Sequence, residues 1–399
     1  MRIWLAAGAL FAVVACSEKL TTPGDCPGNC PADHLIVRDT VIAAELDSTY
    51  TGFVSAPEGI RLLLSDGFNG GTSIGVARFA QVADSILYLD TLRAATLDSA
   101  ALTLQVTARD PAAAGLAIEI YRLPSTLTLD STAGYADAAP FLTSDRLIGT
   151  FAVPDSLRNG TVRVLFTGAD LAKLAFAPGD SNTLKVAYRL VAPVPTGVSV
   201  GASASGITAP GFFNYLRLAL PDTTIFNSLP RIVLFNSTLS DAPAGPPPPD
   251  LLTAGGAPSS RAIIRFTLPP QIRDTAQIIR ATLMLVPAEP LLALPGDSAQ
   301  LDVEGVFTDL GPKSPRIESS PALIATHVIE AGTTDTVGFD VTAVARLWGG
   351  TSAAPSVLTL ALSPEASTFG FARFGSSRSA GAKPALRITY ALPYPFEVQ

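Results

Sequence analysis

One ordered series of short apolar blocks occurs twice along this chain, and that duplication narrows the folds open to it more than any other feature. Val76-Ala77-Arg78-Phe79 is answered by Ile263-Ile264-Arg265-Phe266, and Ala100 to Leu104 by Ala281 to Leu285. Leu147 to Phe151 is answered by Leu323 to His327. Leu165-Phe166-Thr167 with Ala172 to Ala175 is answered by Phe339 to Thr342 with Ala345-Arg346-Leu347-Trp348. Leu184 to Leu190 matches Val357 to Leu362, each followed by a small-residue loop, Gly201 to Gly206 and Gly375 to Gly381. The closing blocks are Asn214 to Pro221 and Leu386 to Pro393. Most blocks are short runs of β-formers between turn residues, the mark of an antiparallel sandwich. Ile86 to Leu89 and Ala117 to Tyr121 fit the same pattern. Val344, Ala345, Leu347 and Trp348 have helical spacing behind Thr342 as N-cap, and Thr167 with Asp170 offers a similar start. The expectation is an all-β chain of two tandem antiparallel jelly-roll-like β-sandwiches, each with a short helical segment. The boundaries expected are 35–222 and 230–395, with a stiff proline-rich loop from Pro243 to Pro249.

Composition agrees with this division. The 399 residues exceed one ordinary core, 48% are hydrophobic and 15% charged, so apolar material is ample. Thirty-three prolines and 32 glycines, spread throughout, leave little room for long helices. The net charge is −7 and no Lys/Arg stripe exists, which argues against a nucleic-acid partner and against binding to anionic lipid heads.

The first residues form an address. Met1-Arg2 precedes an apolar run, Ile3 to Val14, and then Ala15-Cys16. A positive start, a short hydrophobic stretch and a small residue at the cleavage point describe a signal peptide over 1–15. The run falls short of the roughly 20 residues needed to cross a membrane. Residues 16–34 then read as a Pro/Gly/polar tether. Cys26 and Cys30 suit a small disulfide loop in an oxidising compartment. A metal site from Cys26, Cys30 and His34 is the rival reading, but Pro27 and Pro31 forbid the helix that would align them.

Cys16 after a small residue resembles the lipobox of bacterial lipoproteins, which implies diacylglycerol on its thiol, export to the cell envelope and a membrane partner through that anchor. By the same resemblance Ser17 leans towards the outer membrane. The second half resembles the DNRLRE-type β-sandwich domain, a jelly-roll family related to carbohydrate-binding modules. The residues carrying the likeness are Arg265-Phe266 with Leu268-Pro269, Ile279 to Leu283, Phe339 to Thr342 with Trp348, and Pro384 to Tyr390. The first half is a degenerate relative: Ala175 stands where the tryptophan would be, and Leu165 replaces the aspartate. The resemblance implies glycan binding or a structural spacer role, and places Trp348 in the core. It brings no catalytic residue.

Chemistry-bearing motifs are sparse. Of two histidines, His34 lies in the tether and His327 occupies the place of Phe151 in the other copy, which suits a strand position better than a general base. Gly201 to Gly206 lacks a nucleophile elbow's register, and no phosphate loop, H-E-x-x-H or dinucleotide fingerprint occurs. Asp98, Asp110, Glu119, Asp302 and Glu304 lie on or near strands, either as solvated faces or as paired carboxylates for glycoside hydrolysis. Asp66 to Gly71 reads as a turn, with structural calcium as the alternative; no other cofactor is expected. Tyr88, Tyr121, Tyr188 and Tyr215 can face inward or outward, and an outward row would serve sugar binding. The sequence therefore reads as a non-catalytic envelope lipoprotein with a structural, adhesive or spacer role. Its partners would be envelope proteins or polysaccharide; the alternatives are a polysaccharide-binding lipoprotein and, behind that, a carboxylate-dependent glycan-processing enzyme.

Overall fold

A computed structural model describes residues 36–392, except for 53–55, 81–83, 175–182, 206–207, 242–247, 257–258, 298, 318–320 and 350–353. Cys16, Cys26, Cys30, His34, Ala175 and most of the proline-rich loop lie outside the described residues. Strands β1 (Ile36–Ala43) and β2 (Leu46–Thr51) come first. They are followed by β3 (Arg61–Asp66), β4 (Ser73–Phe79), β5 (Ser85–Tyr88), β6 (Thr91–Ala94), β7 (Thr96–Arg109) and β8 (Ala117–Arg122). Next stand β9 (Leu147–Ala152), β10 (Gly160–Thr167), β11 (Leu184–Val191), β12 (Thr196–Gly201), β13 (Gly211–Ala219), β14 (Thr224–Arg231) and β15 (Val233–Ser240). The chain continues with β16 (Leu251–Gly256), β17 (Ser259–Arg265), β18 (Gln277–Leu285), β19 (Gln300–Gly305) and β20 (Ile324–Val328). The last four are β21 (Val337–Asp340), β22 (Val357–Ser363), β23 (Phe371–Gly375) and β24 (Ala385–Leu392). Two α-helical turns accompany them, α1 (Tyr135–Ala138) and α2 (Thr342–Ala345). The protein is an all-β sandwich fold with antiparallel pairing between its strands.

The same pairing diagram is drawn twice. The order β14-β13-β7-β10 in one set reappears as β1-β24-β18-β21 in the other. The order β9-β8-β11-β4-β3-β12, with β15 on β4, reappears as β20-β19-β22-β17-β16-β23, with β2 on β17. We call these two sets the first and second repeats. Each has its own apolar cluster, one around Phe79, Leu102, Phe151, Phe166 and Phe212, the other around Leu283, Phe339, Trp348, Leu360 and Phe374. Period-2 alternation makes this possible, since one side of each strand feeds the core and the other faces outward.

The pairing departs from the division expected at 35–222 and 230–395. Residues 36–51 belong with the second repeat, because β1 pairs β24 from Ile36 opposite Leu392 to Ala43 opposite Ala385, and β2 pairs β17. Residues 224–240 do the equivalent for the first repeat. Matching side chains fix the equivalence. Thr238 Oγ1 accepts a hydrogen bond from the N–H of Leu63, third residue of β3, and Thr49 Oγ1 accepts one from the N–H of Thr253, third residue of β16. The Asn236 amide oxygen accepts from Ser203, just past β12, and the Asp47 carboxylate from Ser377, just past β23.

The closing strands also sit in a different register from the sequence match. Phe213 and Arg387 stand opposite the equivalent residues Ala101 and Thr282, a shift of two positions from the match that aligned Asn214 with Leu386. A two-residue slip leaves every side chain on its face, so the apolar pattern cannot detect it. Asp98 in β7 and Ile279 in β18 are the residues skipped at equivalent bulges. The copies differ at one edge. β7 runs on through Val106 to pair β12, which joins the first repeat into an eleven-stranded sheet. At the matching place Pro287 forms an isolated bridge to Phe374 and no named ladder.

The two expected helical segments are present, as a 3-10 run over Gly168–Leu174 and as α2, whereas α1 lies where none was expected; Thr342 is not the cap of its helix. It is the first residue of α2, and the Asp340 carboxylate accepts from both its N–H (3.0 Å) and its hydroxyl (2.5 Å). The Thr342 hydroxyl oxygen in turn accepts from Ala281 N–H at 2.9 Å, tying helix to sheet. Thr342 holds the Asp340 carboxyl below the usual range by those bonds. Trp348 is buried and stacked on Phe266 at 6.5 Å, a core position as expected.

The repeats touch through a polar contact. Arg61 pairs with the buried Asp297 at 2.6 Å, which also accepts from the Thr368 hydroxyl at 3.1 Å. Phe68, in the loop weighed as a calcium turn, packs edge-on against Phe369.

Candidate functional site

The outward side of the first repeat's four-strand layer collects the residues that look least like structure. On β13, Phe212, Asn214, Leu216 and Leu218 are buried, while Phe213 and Tyr215 are half-buried on the opposite side. Register sets their neighbours. Leu165, Ala101, Phe213 and Pro230 form one row across β10, β7, β13 and β14; Thr167, Ser99, Tyr215 and Ser228 form the next. Phe226 stands opposite Arg217 one row further on. Phe226 is 66% exposed and Leu165 51% exposed. The Arg163 guanidinium lies 5.6 Å from the Tyr215 ring centre and donates to its hydroxyl at 2.9 Å. The result is an open face with three aromatic rings and two guanidinium groups, successive same-strand positions lying about 7 Å apart.

The second repeat has no such face. Arg387, Thr389 and Val37 occupy the places of Phe213, Tyr215 and Phe226. Arg387 pairs with Asp39 at 2.8 Å and the Thr389 hydroxyl donates to the same carboxylate. The Thr389 bond, then Arg387, holds the Asp39 carboxyl below its ordinary range.

The other sheet shows the reverse contrast. In the first repeat its outward residues Ile74, Val76, Tyr121, Ala187 and Leu239 are apolar and lie under a segment carrying Leu123, Leu129 and Ala138 of α1. In the second repeat the same side is charged. Arg261 binds Glu365 at 2.8 Å, and Arg316 lies 3.4 Å from Glu304 and 3.5 Å from Glu365. Asp302, next outward on β19, has its carboxyl raised by burial. Asp302 and Glu304 thus do share a face, inside an arginine network.

The other candidates are placed as follows. Glu119 accepts from the Tyr121 hydroxyl at 2.5 Å, and burial followed by that bond pushes Tyr121 up. Asp110 accepts from Ala112 N–H at the turn after β7, and Asp98 sits exposed in the bulge. Tyr188 is fully buried, and burial alone drives its hydroxyl far above the tyrosine range. Tyr88 belongs to the β5–β6 hairpin with Arg93 over its ring. His327 is a strand residue edge-on to Phe339 at 5.9 Å, as its match to Phe151 implied. Asp66 accepts from Ala192 N–H, and Gly67, Asn69 and Gly70 take positive φ, the geometry of a turn. Among the described residues no group of three or more His, Cys, Asp or Glu could hold a metal. No described helix is long and apolar enough to cross a membrane. Phe213 and Phe226 escaped the sequence reading, which weighed tyrosines and tryptophan alone; the alternation Phe212-Phe213-Asn214-Tyr215 was the available signal.

No known protein family matches the chain, and no curated protein matches it either.

Proposed function

We propose that this chain is a non-catalytic, lipid-anchored adhesive module of the cell envelope that holds polysaccharide on the outward face of β10, β7, β13 and β14. The observation that carries this reading is the set of Phe213, Tyr215 and Phe226 on three successive rows of that face. Aromatic rings carried on a rigid sheet offer apolar surface to sugar rings while losing little conformational freedom. Arg163 and Arg217 flank the set with donors that sugar hydroxyls and carbonyls can use. The DNRLRE-like pattern supports the same class.

The anchor rests on the lipobox-like Cys16. Mass spectrometry of the membrane fraction should find a diacylated, N-terminal Cys16, and an unmodified mature N-terminus elsewhere would end that claim. For the ligand, the chain from Asp33 onward is applied to a glycan array beside its Tyr215→Ala form. Retention on one polysaccharide class that the variant weakens about fivefold is the expected result, and equal retention by both removes this face from the function.

A structural role through protein contact is favoured by one further observation. The β5–β6 hairpin exposes Leu87, Leu89 and Leu92 at 68%, 77% and 69%. An envelope partner captured by the native chain and lost with Leu87→Ser and Leu92→Ser would place that role on this hairpin.

A further inference from the structure

Two strands of the second repeat come from the far end of the chain. In the first repeat the corresponding pair, β14 and β15, follows β13 through a turn in which Leu220 N–H donates to Thr223 O. That pair is covalently continuous with the sheet it completes. The second repeat is completed by β1 and β2, whose link to the remainder of the described chain runs through residues 52–60.

We infer that the slot filled by β1 and β2 accepts the same two strands from a second copy of this chain. Every contact that fills it would survive the exchange. These are the ladder from Ile36 opposite Leu392 to Ala43 opposite Ala385, the ladder of β2 on β17, the Thr49 bond to Thr253, and Asp47 with Ser377 and Arg378. Exchange of an identical element therefore costs little beyond the loss of intramolecular connection, and it is opposed chiefly by the effective concentration of the attached pair. Gly52 supplies the hinge: its φ is +81° and no atom lies within 4 Å of where a side chain would sit. The slot favours its own strand pair, because the Asp47 carboxylate meets a backbone N–H and a guanidinium there, whereas its counterpart on β15, Asn236, is neutral and takes the N–H of Ser203. This inference stands apart from the glycan reading.

The test uses the chain with Cys16, Cys26 and Cys30 replaced by serine. One copy carries Val41→Cys and another Arg387→Cys, positions opposite each other in the β1–β24 ladder. The two are unfolded together, refolded as a mixture and oxidised. A covalent heterodimer of twice the chain mass is expected. A mixture that stays monomeric, while the chain bearing both substitutions closes its disulfide internally, overturns the inference. If the doubly substituted chain does not close, light scattering of the unaltered chain decides. A dimer dispersed by excess peptide of residues 36–51 sustains exchange; a monomer at every concentration rejects it.

Discussion

The outward side of β13 carries Phe213 and Tyr215, and the outward side of β24, placed by the same pairing, carries Arg387 and Thr389. On the opposite sheet the contrast inverts: the first repeat is apolar and covered, and the second is a network of Arg261, Arg316, Glu304 and Glu365. One backbone plan thus carries two surfaces. The inner alternation is kept because it builds the core, whereas the outer positions are free to diverge. The difference teaches that equivalence in such a pair is read most securely from hydrogen-bond register, since many outer residues have lost resemblance.

The largest effects should appear where equivalent residues differ most in burial. Phe151→Ala should cost about 3–5 kcal/mol and His327→Ala less than about 1 kcal/mol, measured by urea unfolding. Equal losses would break the view that the two occupy one strand position in unlike surroundings. Trp348, the sole tryptophan beyond Trp4, reports the second repeat by fluorescence.

Next come the clasps. Asp47→Ala should cost about 3 kcal/mol, discounted for the half-exposed Arg378, while Asn236→Ala should cost about 1–2 kcal/mol. Thermal unfolding of both variants checks the order, and a reversed order would dissolve the argument that the charged clasp is the stronger one.

Removing one ring from the open face should weaken polysaccharide retention by about 1 kcal/mol, about fivefold, for Phe213→Ala and for Tyr215→Ala. Arg387→Ala should leave retention unchanged. Affinity electrophoresis separates these outcomes.

The smallest effect concerns Asp302. Its folded carboxyl is raised by burial, so ionisation opposes folding at neutral pH, and stability rises as pH falls through the raised value towards the ordinary one. Asp302→Asn should therefore stabilise the chain at neutral pH by a fraction of a kcal/mol, since the group is part-exposed, and the gain should vanish below about pH 3.8. A gain independent of pH would reassign the effect to packing.

Much of this was legible beforehand. The strand blocks, the helical turn at Thr342, the buried Trp348 and the strand position of His327 follow from local pattern. The partner of β1 did not, because pairing across the whole chain leaves no local periodicity. Yet Asn236-Ser237-Thr238 and Asp47-Ser48-Thr49 repeat a short motif whose hydroxyl and Asx oxygens make the same bonds. The face around Phe213 was harder to read, because the closing strands slip by two residues from the block match and such a slip leaves every side chain on its face.

Ile36 lies opposite Leu392, so the described chain begins where it ends. If the chain is anchored upstream of Ile36 and holds a ligand at Tyr215, as proposed, a pull between the two runs along β1, β2 and residues 52–60 and does not pass through β16 to β24. Those strands hold the loaded segment only sideways, through ladders that must shear together before they yield. The second repeat is in this sense a brake on the line, and slack is paid out only after it slips.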